Sequence, residues 1–215
     1  VDEKAAPGGL EQVRAFINTW LVPNDTRVPE DRLPELVADP ARWRAELPGV
    51  PPDPLDPGDP GDPGDPGDPG DPGDPGDPGD PGDPGDPGDP GDPGELMRLR
   101  EALRRSLGLE RPVELDGWLR RHPLRAQIPA DPDAPPLALR PETAGPIGHI
   151  LALAAEAIRA GQWARLKACP DCKWVFYDHS RNGGRRWCAM TAGSPYGRGC
   201  GSIAKVRSYR ERKRV

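Results

Sequence analysis

Long apolar runs are missing from this chain of 215 residues. Its most apolar stretch, Ile147 to Ile158, contains Glu156 and falls short of the ~20 residues a membrane span needs. No apolar run lies near the first residue, so no secretory signal is visible there. Catalytic patterns are missing too. There is no Ser/His/Asp arrangement, no phosphate-binding glycine loop and no paired-carboxylate motif, so an enzyme is not expected. Cysteine is limited to four residues, whose spacing suits a metal in a reducing compartment better than a disulfide framework. The expectation is a soluble, cytoplasmic protein with no membrane partner. Lysine is scarce, at 5 against 24 arginines, while Ala, Pro and Gly abound, which resembles coding from a GC-rich genome.

What the chain has in excess is one triplet. Residues 56–94 are thirteen unbroken Asp-Pro-Gly units, which cannot bury apolar surface and are expected to be disordered. They also distort the charge. The formal net charge is −6, yet the thirteen aspartates leave +7 on the remainder. From Arg159 to Val215 there are 14 Lys+Arg against 3 Asp+Glu, a local excess of +11. The acidic total therefore says little about partners and the basic tail says more. Glycine at every third place satisfies the collagen rule, but a trimer would align like-charged rows without a basic partner in any triplet. The other reading is an extended, polyproline-like loop. Rigid prolines argue against a calcium cage.

The fold class expected is mainly α (α+β). Leu10, Val13, Phe16, Ile17, Trp20 and Leu21 share one face of a helix over 10–21. Asp39-Pro40 starts a short helix that buries Trp43 and Leu47, with Asp39 as N-cap. Leu96, Leu99, Leu103 and Leu107 mark another, closed by Gly108. Asp116 is expected to cap a short helix carrying Trp118 and Leu119. Leu124–Ile128 and Leu137–Arg140 read as a hairpin about Asp131-Pro132-Asp133. The longest helix should run from Pro146 to Ala160 and end at Gly161. Neither side of the repeat is self-sufficient, so residues 1–162 read as one helical domain with the repeat inserted at 56–94. Residues 163–215 are then expected to form a small ββα finger.

Cys169-Pro170-Asp171-Cys172 is a C-x2-C pair, followed by Cys188 and Cys200. A tight pair holds a tetrahedral ion on one turn, and two further thiolates complete its shell, so Zn2+ is the expected cofactor. Trp174–Tyr177 reads as a strand, Arg181-Asn182-Gly183-Gly184 as a turn and Arg185–Cys188 as the returning strand. Such a hairpin has no core of its own, and a metal is its natural staple. Three other readings compete: a redox pair, a cysteine nucleophile beside His179, and an open zinc site with His179 in place of one cysteine. A thioredoxin-like pair would leave Cys188 and Cys200 unexplained. Ser202 is expected to cap a terminal helix.

The stretch Leu166-Lys167-Ala168-Cys169-Pro170-Asp171-Cys172-Lys173-Trp174-Val175-Phe176-Tyr177-Asp178-His179-Ser180-Arg181-Asn182, with Arg185-Arg186-Trp187-Cys188-Ala189-Met190, resembles the CGNR-type zinc finger of bacterial regulators. Upstream, Phe16-Ile17-Asn18-Thr19, Asp31-Arg32-Leu33-Pro34 and Trp43 resemble the ABATE domain that precedes this finger. The resemblance implies a stress-related transcription regulator whose finger binds DNA. Two departures stand out. The family's Cys-Gly-Asn-Arg is Cys200-Gly201-Ser202-Ile203 here, which removes a guanidinium, and the segment Thr191–Gly199 is longer than the family's connection.

On the terminal helix, Ile203, Val206 and Tyr209 share a face expected to pack on Trp174 or Trp187. Lys205, Arg207, Arg210, Arg212, Lys213 and Arg214 cover the rest, and Arg185 and Arg186 extend the positive surface. These eight are the candidate nucleic-acid contacts, with DNA as the leading partner. The alternative is a zinc-stapled module for RNA or a protein partner.

Overall fold

Local capping chemistry and helical periodicity place most of the elements. The structure, a computed structural model, describes residues 5–23, 26–52, 92–130, 135–189 and 199–213. Among these are seven α-helices and three two-stranded antiparallel ribbons, a mixed α+β fold. No described helix is long and apolar enough to cross a membrane.

Helix α1 (Leu10–Ile17) buries Leu10, Val13, Phe16 and Ile17. It stops four residues earlier than periodicity suggests. Thr19 Oγ1 donates to the Phe16 carbonyl at 2.8 Å. Trp20–Leu21 then becomes strand β1, paired with β2 (Glu30–Asp31). Leu21 stays buried, so the apolar face was read correctly but the period was not. Helix α2 (Leu33–Ala38), which carries Pro34 in its first turn, was not anticipated. In α3 (Pro40–Glu46) the Asp39 carboxylate accepts from the Ala41 and Arg42 amides at 3.0 and 3.1 Å, the expected cap.

Residues 53–91, nearly all of the Asp-Pro-Gly tract, lie outside the described residues. Its last triplet, Asp92-Pro93-Gly94, lies among the described residues. Asp92 caps helix α4 (Pro93–Arg105), accepting from the Gly94 and Glu95 amides, with Pro93 at the first helical position. Helix α5 (Asp116–Arg121) also departs from expectation. A 3-10 turn (Val113–Leu115) leads directly into it, so Asp116 is inside the helix and pairs with Arg120 instead of capping. The hairpin is present as β3 (Leu124–Gln127) and β4 (Ala138–Pro141), while its turn at 131–134 lies outside the described residues. Helix α6 (Pro146–Arg159) ends before Gly161, whose φ of 68° suits glycine. Gly148 lets β4 approach α6 closely: a Cβ there would sit 2.6 Å from Pro141 Cβ.

One apolar cluster draws on both sides of the tract. Phe16, Leu33, Trp43 and Val50 pack with Leu96, Leu99, Leu103, Ile150 and Leu151. An ion pair at its edge reinforces it, for buried Arg100 donates to both oxygens of the exposed Asp31 carboxylate at 2.6 Å and to Thr19 Oγ1 at 3.0 Å. The same cluster continues beyond residue 162 through Trp163, Leu166, Val175 and Tyr177.

Candidate metal centre

The first cysteine pair sits on the turn of a ribbon. Strand β5 (Leu166–Ala168) pairs with β6 (Val175–Tyr177), and Cys169–Trp174 connects them. This corrects the expected pairing: the partner of β6 comes before the cysteines, and residues 185–188 form no strand. The Gly183 turn forms, with φ of 58°, but it leads into an irregular segment carrying Cys188. Leu166 and Val175 are drawn into the main core, which explains why this ribbon forms and the other does not.

The turn is tight because Cys169 N–H donates to the Trp174 carbonyl and Lys173 N–H to the Cys169 carbonyl, at 2.9 and 3.0 Å. Lys173 adopts a left-handed φ of 61° to allow this. The fourth cysteine opens helix α7 (Cys200–Arg212). Ser202 therefore lies within the first turn, not at the cap, and the helix starts at the metal site itself.

All four sulfurs lie within 4.8 Å of one another and all four cysteines are buried and unoxidised. The Cys172–Cys188 separation is 3.5 Å and the Cys188–Cys200 separation 3.7 Å. A tetrahedron with Zn–S arms of ~2.3 Å has edges of about 3.8 Å. A disulfide would need about 2.05 Å. The donor set thus fits a tetrahedral ion closed on four sides. Without a cation the crowded sulfurs cannot ionise together. Cys169 is pushed well down by accepting from Cys172 and Cys188, while the Cys169 contact pushes Cys172 up to about 12 and Cys188 far up as well. A dication reverses that preference by stabilising every thiolate. His179 is not in the group. Its Nε2 donates to the Ala5 carbonyl at 2.8 Å and its ring meets Tyr177 edge-on.

The N-terminal segment grips this centre through contacts that spacing arguments did not find. Val22 N–H donates to the Cys172 carbonyl at 3.1 Å. Asn18 clasps Val175 from both ends, donating to its carbonyl at 2.9 Å and accepting from its amide at 2.7 Å. Arg104 joins the carbonyls of Ile17 and Trp20 to that of Lys173, and Arg27 pairs with Asp171 at 2.9 Å. Within the finger, buried Asp178 gathers Lys167 Nζ, Ser180 N–H and Oγ, and the Arg185 amide. Burial pushes the Asp178 carboxyl up, but those donors outweigh it and hold the group well below the usual carboxylate range. The available signal for Asn18 was its position: a polar amide directly after the apolar face of α1.

Residues 165–213 match the CGNR zinc finger family. That span takes in the ribbon, all four cysteines and α7. A collagen triple-helix repeat model matches residues 47–96. Its ends overlap Leu47, Val50 and Leu96, each buried in the core. No curated protein matches the chain.

Seven of the eight candidate nucleic-acid residues are described, and they fall into two groups. Lys205, Arg210, Arg212 and Lys213 are exposed on α7, with Arg207 on the same helix, and Arg186 is exposed on the loop before Cys188. Arg185 differs: its guanidinium donates to the Trp187 and Cys188 carbonyls at 3.1 and 3.0 Å, bracing the third cysteine. Arg214 and most of the longer connection, 190–198, lie outside the described residues. The expected packing of α7 on a tryptophan is not found, because Val206 and Tyr209 are 49% and 53% exposed and only Ile203 is half-buried.

Proposed function

We propose that this protein is a zinc-dependent DNA-binding regulator, not an enzyme, and that it works in a reducing, cytoplasmic setting. Zinc would be held by Cys169, Cys172, Cys188 and Cys200 as a structural ion. The observation that carries the DNA reading is the start of α7 on the fourth cysteine. The metal would fix the first turn of a helix that exposes Lys205, Arg210, Arg212 and Lys213 beyond it. Lysines and arginines held in a fixed array can meet successive phosphates, and arginine can add bidentate base contacts. The family's arginine is absent at Ile203, so the reading rests on Lys205, Arg207, Arg210, Arg212 and Lys213, with Arg186 beside them. For the N-terminal portion the reading of an ABATE-like domain rests on the likeness of Phe16-Ile17-Asn18-Thr19, Asp31-Arg32-Leu33-Pro34 and Trp43 alone.

If five phosphates are neutralised, log K for duplex DNA should fall with log[salt] at a slope of about −4.5, at ~0.9 per contact. Changing Lys205, Arg210 and Arg212 together to Ala should flatten that slope by about 2.7. X-ray absorption should find one zinc per chain with sulfur as its sole neighbour. A zinc-loaded protein that binds no duplex even at low salt would end the DNA reading, and an imidazole in the spectrum would end the four-thiolate assignment. The exposed Val206 and Tyr209 favour one second reading, an RNA- or protein-binding module. A salt-insensitive complex that depends on those two side chains would establish it.

A further inference from the structure

A cleft of about 540 Å³ separates the end of α4 from the finger. Its lining includes Arg104 from α4, Lys167 from β5, and Gly183, Gly184, Arg185 and Arg186 from the loop that follows β6. The volume lies in the range of small-molecule sites. No carboxylate is among its lining residues.

The balance of charge inside it is uneven. Lys167 is neutralised by buried Asp178 at 2.8 Å. Arg104 and Arg185 direct their described hydrogen bonds only to backbone carbonyls, which orient a guanidinium without cancelling its charge. Glu101 does lie within range of Arg104, but Arg100 acts on it with the opposite sign. Burial pushes the Arg104 pKa down, as expected of a cation held away from water. Arg186 is exposed at the rim. Three arginines and no carboxylate therefore line one cleft, two of the arginines held by backbone carbonyls and over the rings of Trp20 and Phe176, with Arg186 exposed. Gly183 and exposed Gly184 of the lining leave open space, since a Cβ at either would meet nothing within 4 Å. A bulky anion can approach the backbone there.

We propose that this cleft is a phosphate-binding site, formed jointly by α4 and the finger. Guanidinium forks suit the planar, multidentate recognition of phosphate oxygens, and preset forks lose little freedom on binding. No residue of α7 lines the cleft, and Arg186 is the one residue it shares with the DNA reading. The phosphate could belong to a nucleic-acid strand or to a free di- or triphosphate, and the same charges would serve either.

The test uses the full, zinc-loaded chain at low salt, with inorganic pyrophosphate as the calorimetric probe and a short duplex as competitor. Pyrophosphate should bind, and Arg186→Ala should weaken it about tenfold, the scale of one hydrogen bond to a charged group. Arg104→Lys keeps the charge but loses the fork, and should weaken binding as well. Zinc content and circular dichroism identify any variant that has simply misfolded. Arg186 carries no described internal bond, so it remains informative if Arg104→Lys does not fold. The Lys205, Arg210, Arg212 triple variant should leave pyrophosphate binding intact, which separates this site from α7. Displacement of pyrophosphate by duplex would assign the phosphate to a strand. Binding of pyrophosphate without displacement would assign it to a small ligand, whatever becomes of the DNA reading. Absence of pyrophosphate binding, or binding indifferent to Arg186→Ala, overturns the proposal.

Discussion

Asn18→Ala should damage the metal centre from a position outside the finger. The amide side chain of Asn18, 3% exposed, satisfies both backbone groups of Val175, which is wholly buried. Alanine leaves the Val175 carbonyl with Arg14, whose Nη1 donates to it at 3.2 Å, but leaves the Val175 amide without its described partner. An orphaned buried donor costs roughly 1–3 kcal/mol, so a destabilisation of about 2 kcal/mol is expected. The damage is delivered at β6. Its middle residue, Phe176, packs against Cys169, Cys172, Cys188 and Cys200, while Val175 and Tyr177 face the main core. Zinc should therefore pass to a competing chelator faster from the variant than from the parent, and the urea midpoint should fall in the same protein. Both are measurable on one sample, the first by chelator absorbance and the second by tryptophan fluorescence. The reasoning fails if the variant unfolds at the parent's midpoint, or if stability falls while the rate of zinc transfer stays the same. The second result would mean that the ribbon and the sulfur cluster are energetically independent.

Other substitutions probe other parts of the argument. Lys173→Gly should stabilise the chain by up to about 1 kcal/mol by relieving the left-handed φ, less the entropy glycine adds to the unfolded state; denaturation midpoints would decide, and a loss of stability would refute strain at the knuckle. Asp178→Asn should cost about 3 kcal/mol at pH 7, the lower end for breaking a buried pair. Because the folded carboxyl titrates below its unfolded value of about 3.9, that difference should persist through mildly acid pH and shrink only as pH falls further. A difference already lost by pH 6 would contradict the assignment. Replacing residues 56–91 with a short Gly/Ser loop, while keeping Asp92 as cap, should leave stability within about 2 kcal/mol and zinc content unchanged. Removing Asp92 as well should cost about 1 kcal/mol more.

What the sequence made legible was chemistry governed by near neighbours. Asp39-Pro40 announces a helix start because both features act within three residues. Cys-x2-Cys announces a ligand turn for the same reason. Leu96, Leu99 and Leu103 declare their shared face through periodicity alone. Failures occurred where a distant partner decided. Nothing local tells Trp20 to leave the helix, since its strand partner is Asp31. Arg185–Cys188 had a good turn before it, yet Leu166–Ala168 took β6 because Leu166 could also enter the core. Asn18 and Arg104 act on the knuckle across 157 and 69 residues, distances that no spacing rule spans. On α7 the apolar spacing is present, but Val206 and Tyr209 remain 49% and 53% exposed among the described residues.

The Asp-Pro-Gly tract is where pattern and topology disagree most. Its thirteen triplets meet the glycine rule of collagen, and the family match follows from that rule alone. A straight triple helix needs each strand to leave at one end and finish at the other. At about 3.1 Å per residue, the tract would place its ends about 120 Å apart. Yet Val50 before it and Leu96 after it share one core, and Trp43 Nε1 donates to the Val50 carbonyl at 2.8 Å. A fold of the remaining residues has a radius of gyration of only about 16 Å. Anchors this close set a condition on the collagen reading: an unbroken rod over the whole tract would need its two flanks to come from different chains. A loop that closes on itself meets no such conflict, and lengthening it from about 6 to about 40 residues costs only about 2 kcal/mol. The last triplet shows how context overrides repetition. Asp92, Pro93 and Gly94 repeat the twelve triplets before them, but Glu95 and Leu96 follow, and the same three residues become a helix cap and first turn.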